Sequence, residues 1–379
     1  MTLMALGDTA RFINGAAFKP SDWEESGLPI IRIQNLTGTG EKFNLTTRKV
    51  KPELIVEPGD LLVSWSATLD VYRWSGPTGV LNQHIFKVLP NSDIDPEYLF
   101  YALKNALAEL SSKTHGSTMK HVVRGDFEST QVNVLPIPEQ RRIVDLLSRA
   151  EGIVRLRREA EQKAAELIPA LFLDMFCDPA TNPKGWPVRK VSDFVSRFEG
   201  GKNIQAGAEN GSPYRILKVS AATSGIYRES ESKPSPDGYS PPISHIVRAG
   251  DMLFSRANTE QLVGATAIVD RTDGKTLLPD KLWRFVWAEP VEPAYMHALF
   301  QSPHVRRELG KLSSGTSASM RNISQGKLFG FQMPIAPYGD QKAFSERAAA
   351  VQSIVAQQST ATAKAKATFD ALLAQAFTA

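Results

Sequence analysis

From Ile143 onward, positions that are apolar except for Arg157 recur in alternating steps of three and four: Ile143, Leu146, Ala150 and Ile153, then Arg157, Ala160, Ala164, Leu167 and Leu171. This is the seam of a heptad pattern, and it predicts a long helix that needs a partner helix. Pro136 and Pro138 stiffen its approach, and Glu139 falls in the first turn, where the helix dipole favours a carboxylate. Arg141, Arg142, Arg149, Arg155 and Arg158 lie mostly off the seam, interleaved with Asp145, Glu151, Glu159 and Glu161, and read as a salt-laced solvated face. Away from this helix the period changes. Short β-branched or alternating runs (LPIIRI, LLVSW, HIFKVL, MLFSR, TAIVD, LWRFVW) alternate with Gly, Pro, Asn and Asp turns in two regions, about 1–138 and 180–338. A short helix is expected after each strand group, at 96–110 and 293–309. Each region reads as α+β, and the Pro/Gly/Asn-rich stretch 178–187 reads as a linker.

The chain also repeats itself, which reorganises the whole reading. EPGDLLVSWSAT returns as RAGDMLFSRANT, so that Gly59 and Asp60 meet Gly250 and Asp251, Ser64 meets Ser255, and Thr68 meets Thr259. The run from Leu81 to Leu103 returns from Leu278, matching Pro96 to Pro293 and Tyr98 to Tyr295. HGSTMKHVVRGDF returns as GTSASMRNISQGKL, with Met119, Lys120 and Gly125 each recurring 201 positions later as Met320, Arg321 and Gly326. The same shift carries Pro136 to Pro337 and Gln140 to Gln341, so the repeat reaches the start of the long helix. A second long helix is therefore expected over 339–379, with Phe344, Val351, Ile354, Ala361, Ala365 and Leu372 on its seam. Two such copies imply an antiparallel pair. The second helix is richer in Ala, Gln, Ser and Thr, so its seam is weaker and its faces less charged.

Length and composition suit two ordinary domains: 379 residues, 42% hydrophobic and 22% charged. The net charge of +4 is compatible with an anionic partner without demanding one. A single cysteine, Cys177, excludes an internal disulfide and a cysteine metal cluster, which points to a reducing compartment. No apolar run reaches membrane-spanning length and the first residues lack a signal-peptide pattern, so a soluble cytoplasmic protein with no membrane partner is expected. Catalytic motifs are missing. Ser240-Pro241-Pro242-Ile243 is wrong at both ends for the Asp/Asn-Pro-Pro-aromatic motif of an amino-methyltransferase, and Gly200-Gly201-Lys202 lacks the rest of a phosphate-binding loop. Glu231-Ser232-Lys233 and Asp273-Gly274-Lys275 resemble nuclease triplets, yet both lie in loop-rich sequence. The histidines show no metal-ligand spacing, so no metal site is expected.

Two variable α+β regions, each followed by a proline-rich stretch and a Gln-bearing helix (LPIPEQRRI and PIAPYGDQKAF), together with PGDLLVS and GSTMKHV, resemble the specificity subunit of type I restriction-modification systems. The second copy departs at Tyr338-Gly339-Asp340, where the first has Ile137-Pro138-Glu139. The resemblance implies two target-recognition domains, 1–138 and 178–338, each reading half of a bipartite DNA site. It also implies two long helices, 139–177 and 339–379, that form an antiparallel coiled-coil spacer and dock two methyltransferase subunits. Endonuclease/translocase subunits would complete the complex. The chain itself would be non-catalytic and bind no cofactor, with S-adenosylmethionine, ATP and Mg²⁺ held by the partners. A helix over 143–171 rises roughly 1.5 Å per residue, about 40 Å in all, close to the roughly 34–36 Å between half-sites one DNA turn apart. Divergence between the halves predicts an asymmetric site.

Base and phosphate contacts call for Arg, Lys, Asn, Gln, His and hydroxyl residues on loops. In the first half these are Ser117, Thr118, Lys120, His121 and Arg124, then Arg32, Gln34 and Asn35, and Arg73 beside Trp65 and Trp74. In the second they are Ser317, Arg321, Asn322 and Gln325, then Lys218, and Arg256 with Asn258. Trp65 and Trp74 read as partly core. Competing readings are a self-sufficient DNA-modifying enzyme, and a coiled-coil scaffold that binds no DNA.

Overall fold

The computed structural model describes residues 2–40, 42–66, 68–113, 124–209, 211–317 and 320–377. The chain divides into two compact units, residues 1–159 with 360–379, and residues 160–359. Each unit is α+β, and both follow one plan.

In unit 1 the central sheet orders its strands Ala10–Asn14, Ile85–Pro90, Leu61–Ser64 and Asp70–Arg73. In unit 2 the corresponding order is Val195–Gly200, Leu282–Trp287, Met252–Ser255 and Thr266–Ile268. A smaller sheet accompanies each. Its diagnostic feature is a parallel pair, Ile30 opposite Val80 in unit 1 and Ile216 opposite Leu277 in unit 2. A two-stranded ribbon then closes each unit beside its long helix, pairing Thr2–Ala5 with Gln131–Val134 and Val188–Lys190 with Gln332–Pro334. The duplication read from the sequence is thus a duplication of topology. The helix after the main sheet is continuous in unit 1, Pro96–Lys113, but broken in unit 2 into Pro293–Gln301 and Pro303–Leu312. Pro303 has no N–H to continue the ladder, and Ser302 before it takes an extended conformation.

The long helices are Ile137–Phe176 and Tyr338–Phe377, and each contributes to both units. In unit 1, Leu147 and Val154 from the first helix join Phe369, Leu373 and Phe377 from the end of the second in one core with Tyr98 and Tyr101. In unit 2, Phe172 and Phe176 from the end of the first helix meet Phe344 and Ala348 from the start of the second. The two helices therefore pack antiparallel within each unit.

The observed seam corrects the expected one at several positions. Leu146 and Ile153 are 50% and 54% exposed, whereas Leu147 and Val154 are 0% and 6%. Leu167 and Ile354 are also exposed, while Ile143, Ala150, Leu171, Phe344, Val351 and Leu372 are partly or fully buried. A heptad starting at Ile143 can step first by three or first by four, and leucine stands at both 146 and 147. The period alone cannot choose between them. Packing against Phe369 and Leu373 selects the four-first phase: Ile143, Leu147, Ala150, Val154.

The repeated motifs have structural roles. Asp60 accepts from the backbone N–H of Glu57 at 2.7 Å and pairs with Lys87 at 2.7 Å. Asp251 accepts from the N–H of Arg248 at 2.8 Å and pairs with Arg284 at 2.8 Å. Gly59 and Gly250 adopt positive φ in the same turn. The repeated glutamine is a clip: buried Gln140 accepts from Asp95 N–H at 2.7 Å and donates to the carbonyls of Asp93 (3.0 Å) and Leu135 (2.7 Å). Gln341 accepts from Glu292 N–H at 3.1 Å and donates to the carbonyl of Ala336 at 2.8 Å. Each ties the first turn of a long helix to the loop that enters the helix after the main sheet, at Pro96 or Pro293.

Candidate nucleic-acid interface

In unit 2 a three-stranded sheet gathers most of the expected second-half residues. Met320–Asn322 lies between Ala257–Asn258 and Ser314–Ser317, with Asn258 opposite Arg321, Ala257 opposite Asn322 and Met320 opposite Ser317. Gly315 is required at the crossing, because a Cβ there would stand 2.3 Å from the carbonyl oxygen of Met320. Arg256 leads into this sheet; its carbonyl accepts from Ile323 N–H at 2.9 Å. Gln325, exposed, begins the next helix, which Ser324 caps. Thus Arg256, Asn258, Ser317, Arg321, Asn322 and Gln325, far apart in sequence, share one surface element.

Their side chains are unequally free. The Arg321 guanidinium donates to Ser313 Oγ at 3.2 Å and to the Gly315 carbonyl at 3.3 Å, with Glu260 at 4.0 Å. Arg256 donates to the carbonyl of Asp280 at 2.7 Å and lies over the Trp283 ring at 5.3 Å. Asn258 accepts from Thr259 N–H, leaving its amide nitrogen with only a 3.5 Å contact to Ser255 Oγ. Arg and Asn are among the side chains able to pair with base edges. Lys218 stands apart from this sheet, exposed on a separate cleft.

In unit 1, Arg32, Gln34 and Asn35 come together at the short helix Ile33–Leu36. Asn35 accepts from Arg32 N–H at 3.0 Å and donates to the Gly40 carbonyl at 3.1 Å, closing the loop, while Gln34 packs against Gly40. Arg32 donates to Asn44 Oδ1 at 3.2 Å and lies over Trp23 at 5.5 Å. Arg73 is engaged elsewhere. Its guanidinium pairs with Glu97 at 2.6 Å and Glu151 at 3.3 Å and sits 3.5 Å over the Phe100 ring, so it anchors the long helix to the sheet. Burial opposes ionisation of Glu151, but Lys104, the Tyr101 hydroxyl and Arg73 together hold its carboxyl below the usual range. Arg124 pairs with Glu128 at 2.8 Å and lies over Phe86. Trp74 is buried, donating to the Pro77 carbonyl at 2.9 Å, and Trp65 stacks on Phe86, in keeping with core roles. Ser117, Thr118, Lys120 and His121 lie outside the described residues, and the side chain of Ser317 is likewise not described.

Sequence reasoning passed over two groups that the fold assembles. Lys202 and Lys281 join Lys218 at the cleft. The Trp65 and His84 rings lie edge to face with centroids 4.9 Å apart, and Nε1 of Trp65, Oδ1 of Asn82 and Nδ1 of His84 are buried without a hydrogen-bond partner, with His84 at φ 73°. The second group carried a signal: Asn82-Gln83-His84 and Pro279-Asp280-Lys281, aligned in the repeat, share no residue.

Among the described residues no group of His, Cys, Asp and Glu could hold a metal ion, and no helix is long and apolar enough to cross a membrane. The family profile of the type I restriction modification DNA specificity domain matches residues 1–166. The type I restriction enzyme MjaVIII specificity subunit of Methanocaldococcus jannaschii is 26% identical over 93% of this chain and 86% of its own length. Two solved structures share the fold. A chain from a study of complex assembly and conformational transition of the type I R-M system aligns with a TM-score of 0.59 at 16% identity, covering 99% of this chain and 97% of that one. The type I restriction-modification S subunit of M. genitalium aligns with a TM-score of 0.52 at 10% identity, covering 100% and 96%. Residues 1–166 thus match the specificity domain, and the chain as a whole is similar in sequence and in fold to type I restriction-modification DNA specificity subunits.

Proposed function

We propose that the chain is the non-catalytic DNA-reading subunit of a type I complex, with residues 1–138 and 178–338 as recognition domains that each read one half of a split, asymmetric site. The observation that carries this is the pairing of one duplicated topology with different residues on equivalent loops. A shared framework presents two chemistries, which is what reading two different half-sites requires. The long helices would set the spacer between half-sites.

The helices also carry the docking reading. Leu146, Ile153 and Leu156 are exposed on one helix face, a heptad step and then three residues apart. Exposed apolar side chains at this spacing suit an amphipathic partner surface, and we assign the stripe to a methyltransferase subunit. Two such subunits would supply S-adenosylmethionine-dependent adenine methylation. Endonuclease/translocase subunits would supply ATP- and Mg²⁺-dependent steps, all in the cytoplasm.

The test is methylation mapping in cells carrying this chain with its methyltransferase, compared with a chain bearing Asn258→Ala and Arg321→Ala. A split motif in the wild type, relaxed in one half only by the variant, supports one half-site per domain. A continuous motif, or relaxation of both halves together, overturns it.

A further inference from the structure

Around one cleft of unit 2, about 180 Å³ in volume, four separate segments each bring a lysine. Lys202 follows the strand Val195–Gly200, Lys218 follows Arg215–Leu217, Lys233 lies within Ser232–Pro234, and Lys281 precedes Leu282–Trp287. Lys202 and Lys218 are exposed. Lys233 donates to the carbonyl of Ile204 at 2.6 Å, holding one wall in place. Four lysines outside the cleft, Lys87, Lys104, Lys311 and Lys366, pair with carboxylates. Among the described residues none of the four cleft lysines has an ion pair, although Asp280 also lines the cleft. Converging like charges repel, and an anion seated between them removes that cost. Burial, with the charges of Lys202 and Arg284, holds His245 below its ordinary pKa. Apart from Asn203 and Asp280, the remaining walls, Ile204, Ile216, Leu217, Val219 and Pro279, are apolar. Cationic rim and apolar wall together suit a sugar-phosphate chain better than a free ion.

The duplicated topology allows the same place to be found in unit 1. Because Ile30 opposes Val80 as Ile216 opposes Leu277, Arg32 stands where Lys218 does. Asn44, opposite Ile30, replaces Lys233, which is opposite Ile216. The matching repeats put His84 in place of Lys281, and Ala16, which follows Gly15 as Lys202 follows Gly201, in place of Lys202. Gly15 and Gly201 are themselves equivalent, each so close to the opposing backbone that a Cβ would clash. One permanent charge in unit 1 thus replaces four in unit 2.

Resting on the DNA-reading proposal above, we infer that the lysine cleft seats the phosphate backbone at the half-site of unit 2, and that the two units grip DNA unequally. Unit 2 supplies most of the salt-sensitive hold. Unit 1 offers Arg32 alone as a permanent charge at the equivalent place.

The experiment measures binding of the full chain, assembled with its methyltransferase subunits, to duplexes with and without the methylated motif, across a salt series. Replacing Lys202, Lys218 and Lys281 together by Gln should lower the slope of log affinity against log salt by about 2 to 3, since each lost phosphate contact removes about 0.9. The loss should be alike on both duplexes, with the methylated motif unchanged. The same three positions as Arg should keep the wild-type slope. Arg32→Gln in unit 1 should lower it by about 1 at most. Lys275→Gln, an exposed lysine of unit 2 outside the cleft, should barely change it. A triple Gln variant that keeps the wild-type slope overturns the cleft while leaving the DNA reading intact, and so does a Lys275→Gln effect as large per lysine. A wild-type complex that binds with no salt slope overturns the DNA reading itself.

Discussion

Replacing Gln140 with leucine isolates what joins the α+β part of unit 1 to its long helix. The side chain is fully buried, and leucine is close in size, so little cavity forms. What is lost is three hydrogen bonds, from Asp95 N–H at 2.7 Å and to the carbonyls of Asp93 at 3.0 Å and Leu135 at 2.7 Å. A buried donor or acceptor left unsatisfied costs about 1–3 kcal/mol. The amide should fall near the middle of that range, and the carbonyls, each with a second lone pair, near the bottom. The sum is about 3–4 kcal/mol. Gln341→Leu strands only Glu292 N–H and the Ala336 carbonyl, so about 2–3 kcal/mol is expected. The ordering, Gln140 above Gln341, is the sharper claim. Urea titration followed by far-ultraviolet circular dichroism gives the size of each effect, and hydrogen exchange at the Asp95 and Glu292 amides locates it. The reasoning is refuted if Gln140→Leu stays within about 0.5 kcal/mol of wild type, the range of ordinary surface changes, or if Asp95 remains protected.

Arg284→Ala should destabilise unit 2 by about 3–5 kcal/mol, because it leaves Asp251 and Glu199 partly buried without their cation. Arg284→Lys should cost less, since Lys87 and Asp60 already make that pair in unit 1; thermal denaturation that ranks the two variants equally would count against the equivalence. His297, held by burial at a pKa of about 4, is neutral in the folded state. Its depressed pKa contributes stability that is full above about pH 6.5 and is lost as pH falls toward 4, at most about 3 kcal/mol given its partial exposure. A His297→Gln variant should flatten that part of a stability-against-pH curve, and an unflattened curve would assign the loss to other groups. Leu146→Asp with Ile153→Asp should leave the chain folded but weaken methyltransferase assembly at least about tenfold, whereas Leu147→Ala should cost about 2–5 kcal/mol of stability. Analytical ultracentrifugation of mixtures separates the two effects, and normal assembly by the double variant would remove the docking stripe.

The duplication, the two long helices and the α+β character of each half were legible in the sequence because each rests on local or periodic information. Gln140 and Gln341 illustrate both sides. Their recurrence 201 positions apart marked them as paired, but their function as clips appeared only once the carbonyls and amides they reach were in place. Arg73 shows the opposite failure. An arginine beside two tryptophans reads as a loop contact, yet Glu97 and Glu151, 24 and 78 residues away, fold onto it.

Sequence by itself determined the repeat and the existence of a seam, because apolar period and motif order are properties of a line of residues. It could not choose between Leu146 and Leu147, since both satisfy the period and only the far end of the other helix, Phe369 to Phe377, selects one. Nor could it gather Asn258 with Arg321 and Asn322, or Lys202 with Lys218 and Lys281. Those groupings depend on which strands pair, and pairing is set by burial of whole sheet faces. The candidate interface is therefore a product of tertiary structure, built from residues whose types, but not whose company, the sequence announces.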